Sequence, residues 1–290
     1  MTAKIIDGKK IAEGIKEKLK FQIEGLTIKP CLAVILVGNN PASNVYVNMK
    51  EIECTKLGII LKKYCLKENL LEEKLLNLIK ALNNDVHVHG ILVQLPLPSH
   101  IDEFNIIEAI EPKKDVDGFH AINMGCLFIG TPKFEPCTPK AIIEMINSTN
   151  ITIEGKHAVI VGRSKIVGNP VAQLLLQHNT TVTICHSKTH DLKEYTKQAD
   201  ILVVAVGIPH LIKEDMIKEG AIVIDVGVNR IEDITYKKGY YLCGDVDFEK
   251  VINKASYISP VPGGVGPVTI AMLMSNTLKA YHLIENGKAI

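Results

Sequence analysis

The sequence predicts an α/β protein of two domains, and three observations carry that reading. Its 290 residues suffice for two separate cores. Apolar runs alternate with amphipathic stretches from end to end, the pattern of parallel strands joined by crossover helices. A Gly- and Pro-rich stretch, 111–139, interrupts that rhythm near the middle.

The elements follow in order. After Asp7, a candidate N-cap, Ile11, Ile15, Leu19 and Ile23 recur every fourth residue, and Gly25 ends the helix. Cys31–Val37 is a strand with no polar face. Pro41–Leu57 reads as a helix, 59–64 as a strand, 70–82 as a helix, and Gly90–Val93 as a short apolar strand running into Gln94 and a Pro-rich turn. The stretch 111–139 reads as loops leading to a hinge. A helix at 140–146 opens a second alternating set, with strands at His157–Val161, Thr181–Cys185, 201–205 and 221–226 and a helix after Gly168. The last helix, 268–284, can pack back on the first domain and make it discontinuous.

Composition narrows the function classes. Lys and Arg (33) nearly cancel Asp and Glu (32), so no global field draws in nucleic acid or a membrane surface. No apolar run approaches the ~20 residues that cross a bilayer. The seven cysteines are scattered with no CxxC pair, which argues against a disulfide framework or zinc ribbon and for a reducing, cytoplasmic location. No metal site is expected.

The second half carries a nucleotide signal. The strand His157–Val161 runs into Gly162, Arg163, Ser164 and, four residues on, Gly168 at a helix start, which directs N–H groups and a helix dipole at a pyrophosphate. The match to GxGxxG is imperfect, and alone it fits any tight βα turn equally well. The next strand ends at Cys185, His186, Ser187 with no carboxylate. An acid there would accept from a ribose 2′-hydroxyl, whereas Arg163, Ser164 and Ser187 can donate to a 2′-phosphate, so NADP is favoured. Gly207 and Val228 follow two further strand ends and would border the same nucleotide.

In the first half, Ser43, Tyr46 and Lys50 share one face of the helix Pro41–Leu57. A lysine in a dehydrated cleft can serve as acid or base near neutrality. On the helix alone, a solvated lysine beside an interfacial tyrosine is the better reading. Gln94, at a buried strand's carboxyl end, either orients a substrate or serves its own turn. Asp117, in Lys114-Asp115-Val116-Asp117-Gly118, either grips a heterocycle or sits in an exposed turn. His87 and His89 read as surface or edge residues. The run from Pro260 to Pro267 is a fixed loop, with Val261–Pro262 a candidate cis bond.

Together these segments resemble the bifunctional methylenetetrahydrofolate dehydrogenase/methenyltetrahydrofolate cyclohydrolase family, the FolD-type enzymes, over essentially the whole chain. Pro41 to Lys50, Gln94-Leu95-Pro96-Leu97-Pro98, Lys114 to Phe119, Pro136-Cys137-Thr138-Pro139, Gly162-Arg163-Ser164 with Gly168, and Pro260 to Pro267 carry it. The resemblance implies an N-terminal α/β catalytic domain, a Rossmann-like dinucleotide-binding domain and a cleft between them. Residues 1–139 with 268–290 would bind tetrahydrofolate one-carbon derivatives, and 140–267 would bind NADP. By resemblance, Lys50 is the general acid/base of the hydrolytic step, Gln94 modulates it, and Tyr46 lines the folate beside Ser43. Asp117 grips the pterin, and Pro262, Gly263 and Gly264 border the substrate. Gly162, Arg163, Ser164, Gly168, Ser187, Gly207 and Val228 are the expected NADP set, and a homodimer is the expected assembly. Ala141 and Val268 depart from the residues common there, Gly and Met. Two other readings stay open: an amino-acid or shikimate-type dehydrogenase of similar plan, and a non-catalytic NADP sensor.

Overall fold

The structure, a computed structural model, describes residues 2–236 and 239–287. Its first elements are β1 (Lys4–Ile5), α1 (Gly8–Glu24), β2 (Cys31–Val37), α2 (Pro41–Leu57), β3 (Ile60–Leu66), α3 (Glu72–Asn84) and β4 (Gly90–Val93). Then come α4 (Glu103–Glu108), α5 (Ala121–Phe128), α6 (Cys137–Asn147), β5 (His157–Val161), α7 (Gly168–Gln177), β6 (Thr181–Cys185) and α8 (Leu192–Thr196). The remainder is β7 (Ile201–Val204), β8 (Ile222–Asp225), β9 (Asn229–Glu232), β10 (Tyr240–Cys243), α9 (Phe248–Val251), β11 (Tyr257–Ile258) and α10 (Val265–Asn286).

The chain divides into two compact units, Gly14–Cys137 with Ile270–Ile290, and Met1–Glu13 with Thr138–Thr269. The sequence reading keeps residues 1–13 with the first of these and sets the boundaries at 139/140 and 267/268. The first thirteen residues go with the other unit because β1 pairs in parallel with β11, Lys4 opposite Tyr257.

One unit is built on the parallel sheet β3-β2-β4. Every residue of β2 is buried, as a central strand covered on both faces requires. β3 is an edge and carries Lys62 and Lys63, which pair with Asp85 and Glu51. The core gathers Ile35, Val37, Leu75, Ile79, Ile91 and Ile106. The expected loop 111–139 contains α5, an eight-residue helix started by His120, whose Nδ1 accepts from the Ile122 N–H. His89 also departs from expectation. It is buried, its Nδ1 accepts from the Cys31 N–H at 3.0 Å, and Nε2 faces Glu285 at 3.3 Å.

The other unit is built on a six-stranded sheet, β1-β11-β8-β7-β5-β6, in which every pairing is parallel. The chain lays β6 on one side of β5 and then crosses to lay β7 on the other. That reversal is the switch point at which doubly wound sheets bind ligands. A short antiparallel pair, β9 with β10, stands apart from this sheet. Among the described residues, no helix is long and apolar enough to cross a membrane.

Candidate active site and nucleotide loop

Asn40 and Pro41 start α2: Asn40 Oδ1 accepts from the Ser43 N–H at 3.1 Å, and proline fills the first helical position, where no N–H is needed. From that start Ser43, Val47 and Cys54 turn inward and are buried, and Lys50 lies on the same face. Lys50 Nζ donates to Gln94 Oε1 at 2.8 Å. Gln94 in turn donates from Nε2 to the Leu95 carbonyl at 2.7 Å, and its backbone N–H donates to Ile35 O. Both ends of the amide are therefore fixed. Leu95–Pro96 is cis.

Burial pushes the Lys50 amine below the ordinary lysine range, and the Asp117 carboxyl beside it opposes that shift. Burial pushes Asp117 up, with Lys50 opposing and Asp115 adding to it. Cys137, at the start of α6, lies against Asp117, and burial drives its thiol well above the usual range. Its Sγ donates to Val116 O at 3.3 Å. Burial also raises the Tyr46 phenol, which stays 36 % exposed one turn before Lys50.

Asp117 is held by what precedes it. A parallel bridge, Ile91 with Asp115, ties this segment to β4 two residues before Asp117, whose carboxyl feels the Lys50 charge. Lys114 Nζ donates to the carbonyls of Leu82, Asn83 and Asp85, which satisfies the C-terminus of α3 with a cation. The Asp115 carboxylate accepts from the Gly118 and His120 N–H groups and from Asn123 Nδ2. Gly118 closes the turn at φ +76°. Lys114, Asp115 and Val116 are buried, so the exposed-turn alternative does not hold.

In the six-stranded unit the glycine loop lies at the switch point. Gly162 has φ +131°, and a Cβ there would collide with the Ala205 carbonyl of the neighbouring strand end. A Cβ on Gly168 would strike the Gly162 carbonyl, so the two glycines let α7 pack onto the end of β5. Ser164 Oγ accepts from the Val167 and Gly168 N–H groups at 3.1 and 3.2 Å, so its hydroxyl oxygen caps α7. Val161 pairs with Cys185, and two residues beyond that pair stand Arg163 and Ser187, both exposed. Gly207 turns at φ +68° after β7, and Val228 is half-exposed after β8.

Pro262, Gly263 and Gly264 lie in this same unit, with Val261–Pro262 cis and Gly263 at φ +102°. The Gly264 backbone lies so close to Gly8 that no side chain fits at position 8. The expected residues thus fall into two sets: Ser43, Tyr46, Lys50, Gln94 and Asp117 in one unit, the glycine loops with Arg163, Ser164, Ser187 and Val228 in the other. Cys137 and the acid pair Asp225 and Asp245 were not singled out by sequence. The Cys137 motif was visible, but nothing in it announced a neighbour twenty residues away.

A doubly wound sheet with a glycine loop at its switch point in one unit and a buried lysine–amide pair in the other define a two-unit nucleotide-binding enzyme. Residues 6–117 match the family model for the tetrahydrofolate dehydrogenase/cyclohydrolase catalytic domain, and residues 136–285 match that for its NAD(P)-binding domain. The chain belongs to the tetrahydrofolate dehydrogenase/cyclohydrolase family. It is 56% identical over 286 residues to the bifunctional protein FolD of Acetivibrio thermocellus, covering 98% of each chain. The Campylobacter jejuni FolD crystal structure matches with a TM-score of 0.93 at 50% identity, over 98% of this chain and 99% of that one. The Trypanosoma brucei enzyme, complexed with NADP and an inhibitor, matches with a TM-score of 0.94 at 37% identity over the whole of both chains.

Proposed function

We propose that this protein oxidises 5,10-methylenetetrahydrofolate with NADP⁺ and hydrolyses the resulting 5,10-methenyltetrahydrofolate to 10-formyltetrahydrofolate. The observation that carries this reading is the Lys50–Gln94 hydrogen bond in a buried setting that disfavours the ammonium. Near-full-length identity to bifunctional relatives supports both activities and does not favour the simpler dehydrogenase or the non-catalytic sensor.

The glycine loop fits NADP in this chain. Backbone occupies the space that a Cβ would fill at Gly162 and Gly168, and Arg163 and Ser187 each follow the paired strand ends Val161 and Cys185 by two residues, with no carboxylate at the end of β6. Gly162, Arg163, Ser164, Gly168, Ser187, Gly207 and Val228 would hold the nucleotide, with Arg163 and Ser187 donating to the 2′-phosphate. When bound, its nicotinamide supplies the hydride acceptor.

The hydrolytic chemistry belongs to the chain's own side chains. The methenyl substrate is a cation, so a neutral Lys50 amine faces it without repulsion. Water adds to the amidinium carbon and gives one proton to Lys50 Nζ, Lys50 passes it to the ring nitrogen as the C–N bond breaks, and the water's second proton leaves to solvent as its oxygen becomes the formyl carbonyl. Gln94 Oε1 holds the amine in line and accepts from the ammonium formed in that step. Asp117 receives the N–H and amino groups of the pterin, Tyr46 and Ser43 flank the folate, and Pro262, Gly263 and Gly264 serve the substrate with backbone. A cytoplasmic location agrees with seven free thiols. A homodimer formed through the nucleotide unit is part of the same reading.

Paired assays test the proposal: NADP reduction with methylenetetrahydrofolate, and loss of the methenyl chromophore with no nucleotide present. Both activities are expected in one purified chain, and absence of both would overturn the reading.

A further inference from the structure

Two buried carboxylates in the six-stranded unit are spent entirely on backbone and amide N–H groups. Asp245 Oδ2 accepts from the Val206 and Gly207 N–H groups at 2.7 and 2.9 Å, and its Oδ1 accepts from Asn229 Nδ2 at 2.9 Å. Asp225 Oδ1 accepts from the Gly227 and Asp245 N–H groups, both at 3.0 Å, and Oδ2 accepts from Val246 N–H at 2.9 Å. Ser259, just ahead of the Pro260 to Gly264 loop, accepts from the Asp225 N–H at 2.7 Å. Asp225 is 3% and Asp245 0% exposed. Any Cβ on Gly227 would meet the Asp245 carboxylate, and one on Gly244 the Asp225 carboxylate.

Two carboxyl groups buried side by side are costly to ionise together, and burial with the Asp245 charge pushes Asp225 up to about 7. Ordinary turns satisfy their N–H groups with carbonyls or water. What the acids hold instead are the two segments after β7 and β8. In the order β8-β7-β5-β6, the Arg163 and Ser187 pair stands over β5 and β6. A dinucleotide with its 2′-phosphate there lays its other half over β7 and β8.

We propose that Asp245, buttressed by Asp225, is a positioning residue that sets the loops Val206–Gly207 and Gly227–Asn229 for the nicotinamide half of the cofactor. The proposal rests on the NADP reading above. Asp245 touches no substrate. It fixes the N–H side of both loops, so that their outer faces and the half-exposed Val228 present one constant surface.

The test uses Asp245→Ala, Asp245→Asn and Asn229→Ala in the full-length protein. Affinities for NADP and for adenosine 2′,5′-bisphosphate, which lacks the nicotinamide half, are measured by calorimetry beside both activities. With Asp245→Ala, NADP affinity and dehydrogenase kcat should each fall at least about tenfold. Bisphosphate affinity and cyclohydrolase rate should hold. Asp245→Asn should recover most of the loss, because its amide oxygen can take the place of Oδ2 and accept from Val206 and Gly207 while the Asn229 amide turns over to accept from the new NH2. Asn229→Ala, at a half-buried position, should weaken NADP but not the bisphosphate, and it carries the test if Asp245→Ala does not fold. Equal loss of both ligands, or no loss of NADP affinity, would overturn the positioning role. Wild-type protein that bound neither ligand would overturn the cofactor reading itself.

Discussion

Lys50 Nζ donates to Gln94 Oε1 at 2.8 Å while Gln94 Nε2 is committed to the Leu95 carbonyl, so the amide offers the lysine only an acceptor. An acceptor without charge stabilises the ammonium less than a carboxylate would. It leaves the amine free to lose its proton in a setting where burial already favours that loss.

Gln94→Glu should therefore raise the proton affinity of Lys50. A base works when neutral, so its activity rises with pH through its pKa. The rising limb of the cyclohydrolase pH profile is expected to move alkaline by about one unit or more. An unmoved limb would remove Lys50 as the titrating base.

Lys50→Met should lower the nucleotide-free decay of methenyltetrahydrofolate by about a hundredfold or more. Dehydrogenase activity should persist, because hydride transfer asks no proton of Lys50. The melting temperature should not fall, since the variant no longer buries an amine that is charged in the unfolded chain at neutral pH. Unchanged decay would reject the assignment.

Ser187→Asp places an anion two residues beyond Cys185, the end of β6 that pairs with Val161. NADP affinity should drop at least about tenfold through like-charge repulsion, while NAD binding changes little. Titration of both nucleotides decides it, and equal losses would contradict a 2′-phosphate at this edge.

Asp225 provides a stability prediction with a definite sign. It titrates at about 7 in the fold, and at about 3.9 when unfolded. Between those values the folded protein holds a proton that the unfolded chain has released, so stability falls as pH rises through that window. From about pH 5 to pH 6 the loss should approach 1.4 kcal/mol per pH unit, falling to about half that at pH 7, and it should vanish in Asp225→Asn. Urea unfolding across that range provides the comparison.

Legibility in the sequence followed burial. β2, β4 and β5 have the bounds their apolar runs indicate, because a parallel strand covered on both faces admits few polar residues. β1 and β11, two residues each, are too short to show a period. β9 and β10 are amphipathic and lie outside the main sheet. His89 misled because alternation with His87 says that one face is shared, not which face is inside. The Lys50 face of α2 was readable from spacing, whereas its partner Gln94 lies forty-four residues on, and only the sheet brings the two together. The Asp225–Asp245 brace left no trace, since acids followed by turns look alike whether they face water or backbone.

The pairing of β1 with β11 also orders events during synthesis. Lys4 and Ile5 are made long before the strand they join, Tyr257–Ile258. Until then the opening segment has no sheet to enter, and Gly8 has no Gly264 to lie against. The nucleotide unit can close only once Tyr257 and Ile258 have left the ribosome. The unit of Lys50 and Gln94 draws its sheet from residues 31–93 and can begin to condense much earlier.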